Sequence, residues 1–143
     1  MPNVRWLLAL ITRVHRFVYL KSGGRIGHRL GGQSMLLLHT IGRKSGQRRI
    51  TPLLYVPDGD RFLLVASNAG DDRRPAWWLN LRHAGRAEIQ VGRERIAVAA
   101  HEAGPAERPV LWQRACAQYP NYALYEQRTR RPIPVVVLTR EAA

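Results

Sequence analysis

The chain has 143 residues, 45% of them apolar, which is the size of one ordinary domain with enough apolar material for its own core. Its formal net charge is +13, and ten lysines and arginines in residues 1–57 precede the first acid, Asp58. The positive electrostatic field of this charge favours anionic partners: nucleic acid, an anionic membrane surface or an acidic small molecule. The single cysteine, Cys116, excludes an internal disulfide framework, fits the reducing cytoplasm and is expected to be inert.

Residues 1–20 are predicted to form a basic amphipathic helix. Apolar side chains recur at helical spacing over residues 4–18, beside three arginines that no acid balances. The apolar run of residues 6–11 is too short to span a bilayer, and no small-residue cleavage site follows it, so secretion is not expected. Two interpretations of the apolar face stay open. It covers a barrel end or a dimer partner, or it attaches the protein to the inner face of the membrane.

A basic, glycine-rich connector over residues 21–34 leads to the main domain, predicted over residues 35–140. A buried strand is predicted over residues 35–40. After a basic segment, two further strands over residues 50–56 and 61–67 form a hairpin, because Pro57-Asp58-Gly59-Asp60 between them suits a tight turn.

The second half of the chain is predicted to begin with a helix over residues 73–83, which Asp71 or Asp72 caps and Gly85 ends. A second hairpin, two helices and a closing strand follow, over residues 86–91, 95–101, 105–119, 121–127 and 133–139. Six strands in hairpins, with helices segregated between them, indicate an α+β domain around a six-stranded, mostly antiparallel sheet. Closure of this sheet into a small barrel would remove its exposed edges.

The basic segment between the first two strands carries four cations and two glycines, in the order Gly42-Arg43-Lys44-Ser45-Gly46-Gln47-Arg48-Arg49. Glycines permit positive φ and close approach of backbone N–H groups, and arginine and lysine supply charge-assisted hydrogen bonds, so the segment is a candidate anion cradle. A solvated hairpin tip is the alternative. The spacing matches neither a P-loop nor a dinucleotide-binding fingerprint.

Two other polar clusters are candidates for ligand contact. Ala66, Ser67 and Asn68 follow a predicted strand and offer a hydroxyl and an amide, although such residues also simply end strands. Tyr122 and Tyr125 share a helix face near Tyr119, where they would either wall an aromatic ligand or pack in the core.

Conventional catalytic groups are sparse. The acids are scattered, and the five histidines lack a serine or cysteine partner at motif spacing, so neither a hydrolytic triad nor a metal site is predicted. A cofactor is therefore expected to carry any chemistry.

Several separate motifs, collinear between residues 35 and 138, resemble the deazaflavin-dependent nitroreductase family. They are Thr40-Ile41-Gly42-Arg43-Lys44-Ser45-Gly46, Pro52-Leu53, Val65-Ala66-Ser67, the Pro75 to Leu81 segment with Trp77 and Asn80, Tyr119-Pro120 with Tyr122, and Ile133-Pro134-Val135. The resemblance implies a split β-barrel and coenzyme F-420, an 8-hydroxy-5-deazaflavin with a phosphate and a polyglutamate tail. A basic groove suits this polyanion.

By the same resemblance, the cofactor-binding residues are Gly42, Arg43, Lys44, Ser45, Gly46, Arg48, Arg49, Pro52, Leu53, Ala66, Ser67, Asn68, Trp77 and Asn80. The residues on the acceptor side are Ser67, Tyr119, Tyr122 and Tyr125. Asn68 departs from the lysine common in the family, which removes one charge contact.

The implied activity is hydride transfer from reduced F-420 to an electron-poor planar acceptor, which is a quinone, an enone or a nitroaromatic. A homodimer is expected. An FMN- or heme-binding protein of the same barrel is one alternative. A basic module for nucleic acid or membrane surfaces is another, but nucleic acid is not expected because the sequence has neither interleaved aromatics of the RRM kind nor a helix-turn-helix signal.

Overall fold

The computed structural model describes residues 29, 30 and 33–141; the predicted N-terminal helix and most of the connector lie outside this part of the chain. The described residues form eight strands: β1 (Arg29–Leu30), β2 (Gln33–Ile41), β3 (Arg48–Leu54), β4 (Val56–Asp58), β5 (Arg61–Val65), β6 (Arg86–Val91), β7 (Glu94–Glu102) and β8 (Val135–Arg140). They also form three α-helices: α1 (Ala76–Ala84), α2 (Arg108–Gln118) and α3 (Asn121–Arg128).

Every strand pair is antiparallel, and the strands form one curled sheet in the order β1-β2-β6-β7-β8-β5-β4, with β3 paired to β2. Tyr55 is the single residue between β3 and β4, so the chain passes there from one end of the sheet to the other. The Tyr55 N–H donates to the Ser34 carbonyl oxygen at 3.0 Å. This crossing brings the two ends of the sheet together as a split barrel, which confirms the predicted α+β fold.

The strand count differs from the predicted six for a local reason. The strand predicted over residues 50–56 is divided at Tyr55, because its first part pairs with β2 and its second part with β5. The Tyr55 ring is buried and meets Phe62 edge to face, with centroids 5.5 Å apart. This division turns the six predicted strands into seven, and the two-residue strand β1 is the eighth.

Both faces of the sheet are buried along β5 and β8, which explains their uninterrupted apolar sequences. Alternate residues enter two cores because successive side chains of a strand point to opposite faces. The first core lies inside the barrel and includes Leu36, Leu38, Phe62, Leu64, Trp77, Trp78, Leu81, Ile89, Val136 and Leu138. The second lies under α2 and α3 and includes Val56, Leu63, Val65, Leu111, Ala115, Tyr122, Ile133, Val135 and Val137.

The helices occur where they were predicted; the first two start three residues later than predicted, and the third starts at residue 121 as predicted. Helix α1 begins at Ala76 after Pro75, and neither Asp71 nor Asp72 caps it. Asp71 instead accepts the Arg73 N–H at 2.8 Å, which makes a tight local turn. The C-terminal prediction is confirmed, since Gly85 follows the helix with a φ of 74° and donates its N–H to the Leu81 carbonyl oxygen.

Among residues 29, 30 and 33–141, no helix has the length and apolar character needed to cross a bilayer.

Candidate functional site

The basic loop after β2 is a closed turn whose own backbone uses several of its N–H groups. The Gly42 N–H donates to the Gln47 carbonyl oxygen at 2.8 Å, and the Gly46 N–H donates to the Gly42 carbonyl oxygen at 2.8 Å. Gly46 has a φ of 70°, which favours glycine, and a Cβ on Gly42 would lie 2.5 Å from Ser45 Oγ. The glycines therefore shape the loop, while the side chains face outward.

Helix α1 anchors this loop through one buried side chain. Asn80 Oδ1 accepts the Arg43 backbone N–H at 3.1 Å and the Arg43 Nη1–H at 3.0 Å. Asn80 is only 6% exposed, whereas the Arg43 side chain is exposed. The contact fixes both the loop and the direction of one of its cations.

A first cavity of about 360 Å³ lies between this loop, the ends of β2 and β3, and the start of α1. Its walls are Thr40, Gly42, Arg43, Lys44, Ser45, Arg49, Thr51, Ala76, Trp77 and Asn80. Three of these residues are cationic and none is acidic, so the donors of the cavity suit an anion such as a phosphate.

Strand register decides which of two neighbouring arginines faces the first cavity. Arg49 pairs with Thr40, and Thr51 pairs with Leu38, so these side chains share the inner face of the sheet. Arg48 pairs with Ile41 and lies on the opposite face. The structure brings Arg49 to the cavity and leaves Arg48 outside it.

Thr40 was part of the recognised motif but was not among the predicted site residues. It is 5% exposed, and its Oγ1 is buried with no hydrogen-bond partner among the described residues. A buried hydroxyl without a partner costs free energy unless a ligand or water satisfies it. The signal in the sequence was a polar residue that continues an apolar strand directly before the loop.

A second polar group lies where β5 ends. Ser67 is 6% exposed, and the following Asn68, Ala69 and Gly70 all have positive φ values of 48°, 54° and 82°. The Gly70 N–H donates to the Ser67 carbonyl oxygen at 2.9 Å. Three consecutive left-handed residues turn the chain sharply and leave the Ser67 side chain beside a cavity.

The three predicted tyrosines form one wall. The Tyr119 and Tyr122 rings meet edge to face with centroids 4.9 Å apart, and Tyr122 meets Tyr125 at 6.4 Å. Burial raises the pKa of Tyr122 well above its usual range, and burial followed by a hydrogen bond with Tyr119 raises the pKa of Tyr125. Both phenols are therefore protonated at neutral pH and can donate hydrogen bonds.

A second cavity of about 690 Å³ separates the tyrosine wall from β3 and the Ser67 turn. Its walls include Pro52, Leu53, Ser67, Asn68, Trp77, Tyr119, Tyr122 and Tyr125, together with Met35, Leu54, Val65, Ala69, Asp71, Arg73, Arg74 and Pro75. Thr51, Ala76 and Trp77 line both cavities. The two cavities therefore form one groove, cationic at one end and aromatic at the other.

Three predicted site residues line neither cavity: Gly46, Arg48 and Ala66. The other predicted residues surround the groove. The sequence patterns did not indicate Thr40, Thr51, Arg73 or Arg74, of which the two arginines lie at the rim of the groove. Only the tertiary structure brings α1 over the ends of β2 and β3.

Other reactive groups of the described chain lie outside the groove. Among the described residues, no group of three or more histidine, cysteine or carboxylate side chains is arranged to hold a metal ion. Cys116 is half-buried, and burial raises the pKa of its thiol, which lowers the reactivity of the group.

The fold and the groove define a split-barrel protein with one extended ligand site, and comparison with known proteins identifies its family. The sequence profile of the F420H(2)-dependent quinone reductase family matches residues 11–140. An F420H(2)-dependent quinone reductase from Mycobacterium tuberculosis is 46% identical over 134 residues, which cover 91% of this chain and 90% of that protein.

Two solved structures agree in sequence and fold. The F420-H2 dependent reductase FDR-A is 34% identical with a TM-score of 0.67, covering 73% of this chain and 92% of the other. A structure described as a domain-swapped dimer is 31% identical with a TM-score of 0.70, covering 88% of this chain and 95% of the other.

The chain belongs to the F420H(2)-dependent quinone reductase family. It is an oxidoreductase whose cofactor is coenzyme F-420, as predicted, and these comparisons do not support the FMN alternative.

Proposed function

We propose that the groove holds reduced F-420 with its phosphate and acidic tail in the first cavity and its ring beside Trp77, and that a quinone stacks in the second cavity. The main observation in support is that both cavities are lined by Thr51, Ala76 and Trp77. One extended ligand can therefore reach from the cations of the first cavity to the tyrosines of the second. The anionic tail and the planar ring of the cofactor match the two ends of the groove.

At the cationic end, Arg43, Lys44 and Arg49 would hold the phosphate and the tail, and Asn80 would keep Arg43 in place. The Thr40 and Ser45 hydroxyls add neutral donors. Because none of the described residues that line this cavity is acidic, the wall favours an anion, and the interaction should weaken as ionic strength rises.

At the aromatic end, F-420 when bound supplies the hydride. The apolar side chains of Pro52, Leu53 and Trp77 would exclude water and align the two flat molecules. The Ser67 and Tyr122 hydroxyls would each donate to one of the two carbonyl oxygens of the acceptor, where negative charge develops. The proton that completes reduction to the hydroquinone would come from solvent or from the hydroxyl of the half-buried Tyr125.

A quinone fits this site better than an enone or a nitroaromatic as the physiological acceptor. The family is named for quinone reduction. A quinone also carries two carbonyl oxygens across one flat ring, which suits hydroxyl donors on two separate walls.

Two adjacent arginines give a matched test of the cofactor position. We expect Arg49→Glu to weaken F-420 binding by about tenfold or more, because it replaces a cation of the first cavity with an anion. Arg48→Glu makes the same charge change on the opposite face and should weaken binding less than about threefold at physiological ionic strength. Fluorescence titration of F-420 measures both. Equal losses would mean that only net charge matters and would contradict the proposed site.

We further propose that residues 4–18, which lie outside the described chain, attach the protein to an anionic membrane surface, where a lipid-soluble quinone resides. The support is the amphipathic spacing and the unbalanced arginines of this segment. Leu8→Glu in the full chain should abolish sedimentation with phosphatidylglycerol vesicles, whereas Thr12→Glu, which adds the same charge outside the apolar spacing, should reduce it modestly. Equal sedimentation of both variants and the wild type would contradict the attachment.

We also propose a homodimer in the cytoplasm. The relative described as a domain-swapped dimer supports this assembly. Sedimentation equilibrium should give twice the chain mass, and a monomer at all concentrations tested would exclude it.

A further inference from the structure

One arginine ties together the two walls of the second cavity. The first wall is the turn over residues 66–71 after β5, which carries Ser67, and the second is α3, which carries Tyr122 and Tyr125. Arg131 follows α3 in sequence and lies beside the Ser67 turn in space. It does not line either cavity itself.

The guanidinium of Arg131 donates to three backbone carbonyl oxygens of the turn. Nη2 donates to the carbonyl oxygens of Ala66 and Ser67, each at 3.0 Å, and Nε donates to that of Asp71 at 3.2 Å. Burial lowers the pKa of Arg131, but an arginine remains charged at any physiological pH. A half-buried cation thus holds both ends of the turn at once.

These carbonyl groups lie beyond the end of the sheet pairing, and that of Ser67 also accepts the Gly70 N–H at 2.9 Å. The pairing of β5 with β8 ends at Val65 and Val135, and the last backbone contact is the Ala66 N–H to the Pro134 carbonyl oxygen at 3.0 Å. Beyond this point Asn68 and Ala69 have positive φ, which is unfavourable for an L-amino acid. The planar, rigid donors of an arginine can stabilise this turn in a way that a single ammonium cannot.

Other contacts join the same two segments and leave little freedom between them. Asp72 accepts the Thr129 hydroxyl at 2.9 Å and the Arg130 N–H at 3.0 Å. A Cβ on Gly70 would lie 3.0 Å from Arg128 Cβ and 3.2 Å from Tyr125 Cα. The two walls are therefore in close contact, and Arg131 makes the contacts nearest to Ser67.

We propose that Arg131 is a positioning residue that sets the distance between the Ser67 hydroxyl and the tyrosine wall, and so the fit of the electron acceptor. This inference rests on the proposed function. Arg131 acts through the backbone of the Ser67 turn, at the acceptor end of the groove, away from the cationic end that binds the tail.

The test compares Arg131→Ala with Arg130→Ala, whose side chain is exposed and has no hydrogen bond to the described residues. With menadione as acceptor, Arg131→Ala should lower kcat/KM by about 10- to 100-fold, mainly through KM, because a small misplacement of binding groups has a large effect on rate. F-420 affinity should stay within about twofold. Arg130→Ala should change neither quantity.

Chemical rescue separates positioning from general loss of stability. Millimolar guanidinium chloride should restore turnover of Arg131→Ala, because the free guanidinium ion can enter the space that the side chain left. Sodium chloride or methylammonium chloride at the same concentration should not restore it. If the alanine variant does not fold, Arg131→Lys serves instead, and it should show the same selective rise in KM. Unchanged kcat/KM, or equal losses of F-420 and acceptor binding without rescue, would overturn the proposal. A wild-type protein that binds F-420 but does not reduce menadione would instead contradict the proposed function.

Discussion

A single side-chain oxygen of Asn80 accepts both the backbone N–H and the guanidinium N–H of Arg43. This pair joins helix α1 to the basic loop across 37 residues of sequence. The other hydrogen bonds of the loop among the described residues are internal to it.

Asn80→Ala should therefore weaken F-420 binding by about tenfold, since it removes two hydrogen bonds and frees the Arg43 side chain. Turnover at saturating F-420 should change little, because the acceptor end of the groove is intact. Titration and steady-state kinetics measure the two effects. His83→Ala, at an exposed position of the same helix, is the control, and an equal loss in that variant would mean that the helix as a whole is responsible.

The unpartnered Thr40 hydroxyl gives a second prediction. Thr40→Val keeps the shape of the side chain but removes the donor, so F-420 affinity should fall by about 3- to 10-fold if the hydroxyl contacts the ligand. The free energy of unfolding of the free protein should stay equal or rise, because a buried, unpaired polar group is lost. Thr40→Ser should retain the affinity. A valine variant with unchanged affinity would mean that Thr40 does not contact F-420.

We expect substitution of Gly70 to reduce stability by more than its positive φ alone would cause. Gly70→Ala introduces both an unfavourable positive φ and a Cβ pressed against Arg128 and Tyr125, so we expect a loss of about 2 kcal/mol or more in urea unfolding. Gly59→Ala has a similar φ of 58° but no atom within 4 Å, and it should lose only about 1 kcal/mol. Equal losses would show that the contact with α3 is soft.

Because of the buried His39, we expect the free energy of unfolding to depend on pH. It is 6% exposed, and neither ring nitrogen has a partner among the described residues. Burial lowers its pKa from the ordinary value of 6.5, nearby Glu88 opposes this shift, and Arg48 and Arg95 add to it. Because the unfolded chain binds the proton more tightly, the folded state should lose stability as the pH falls below 6.5.

His39→Leu should remove this slope, as measured by urea unfolding at pH about 5.5 and about 7.5. His83→Gln should leave it unchanged, since His83 is exposed. A slope that persists in His39→Leu would assign the pH dependence to other groups.

Much of the fold follows from local sequence signals. Apolar runs predicted most strands near their observed positions, Gly85 predicted the end of α1, and the turn around Gly59 predicted the hairpin of β4 and β5. These signals act over a few residues, through alternation, side-chain size and allowed φ angles, so they are visible without the tertiary structure. The collinear motifs also predicted the family and its cofactor.

Other features depend on residues that are distant in the chain. The break at Tyr55 arises because β3 and β4 pair with different partners. The pairing of Arg49 with Thr40 decides which arginine faces the groove, and the reach of Arg131 to Ser67 crosses 64 residues. The sequence by itself determined the elements, the charge and the kinds of side chain available to the site. Only the tertiary structure decided which of them meet, because strand register and helix packing set contacts that local patterns do not encode.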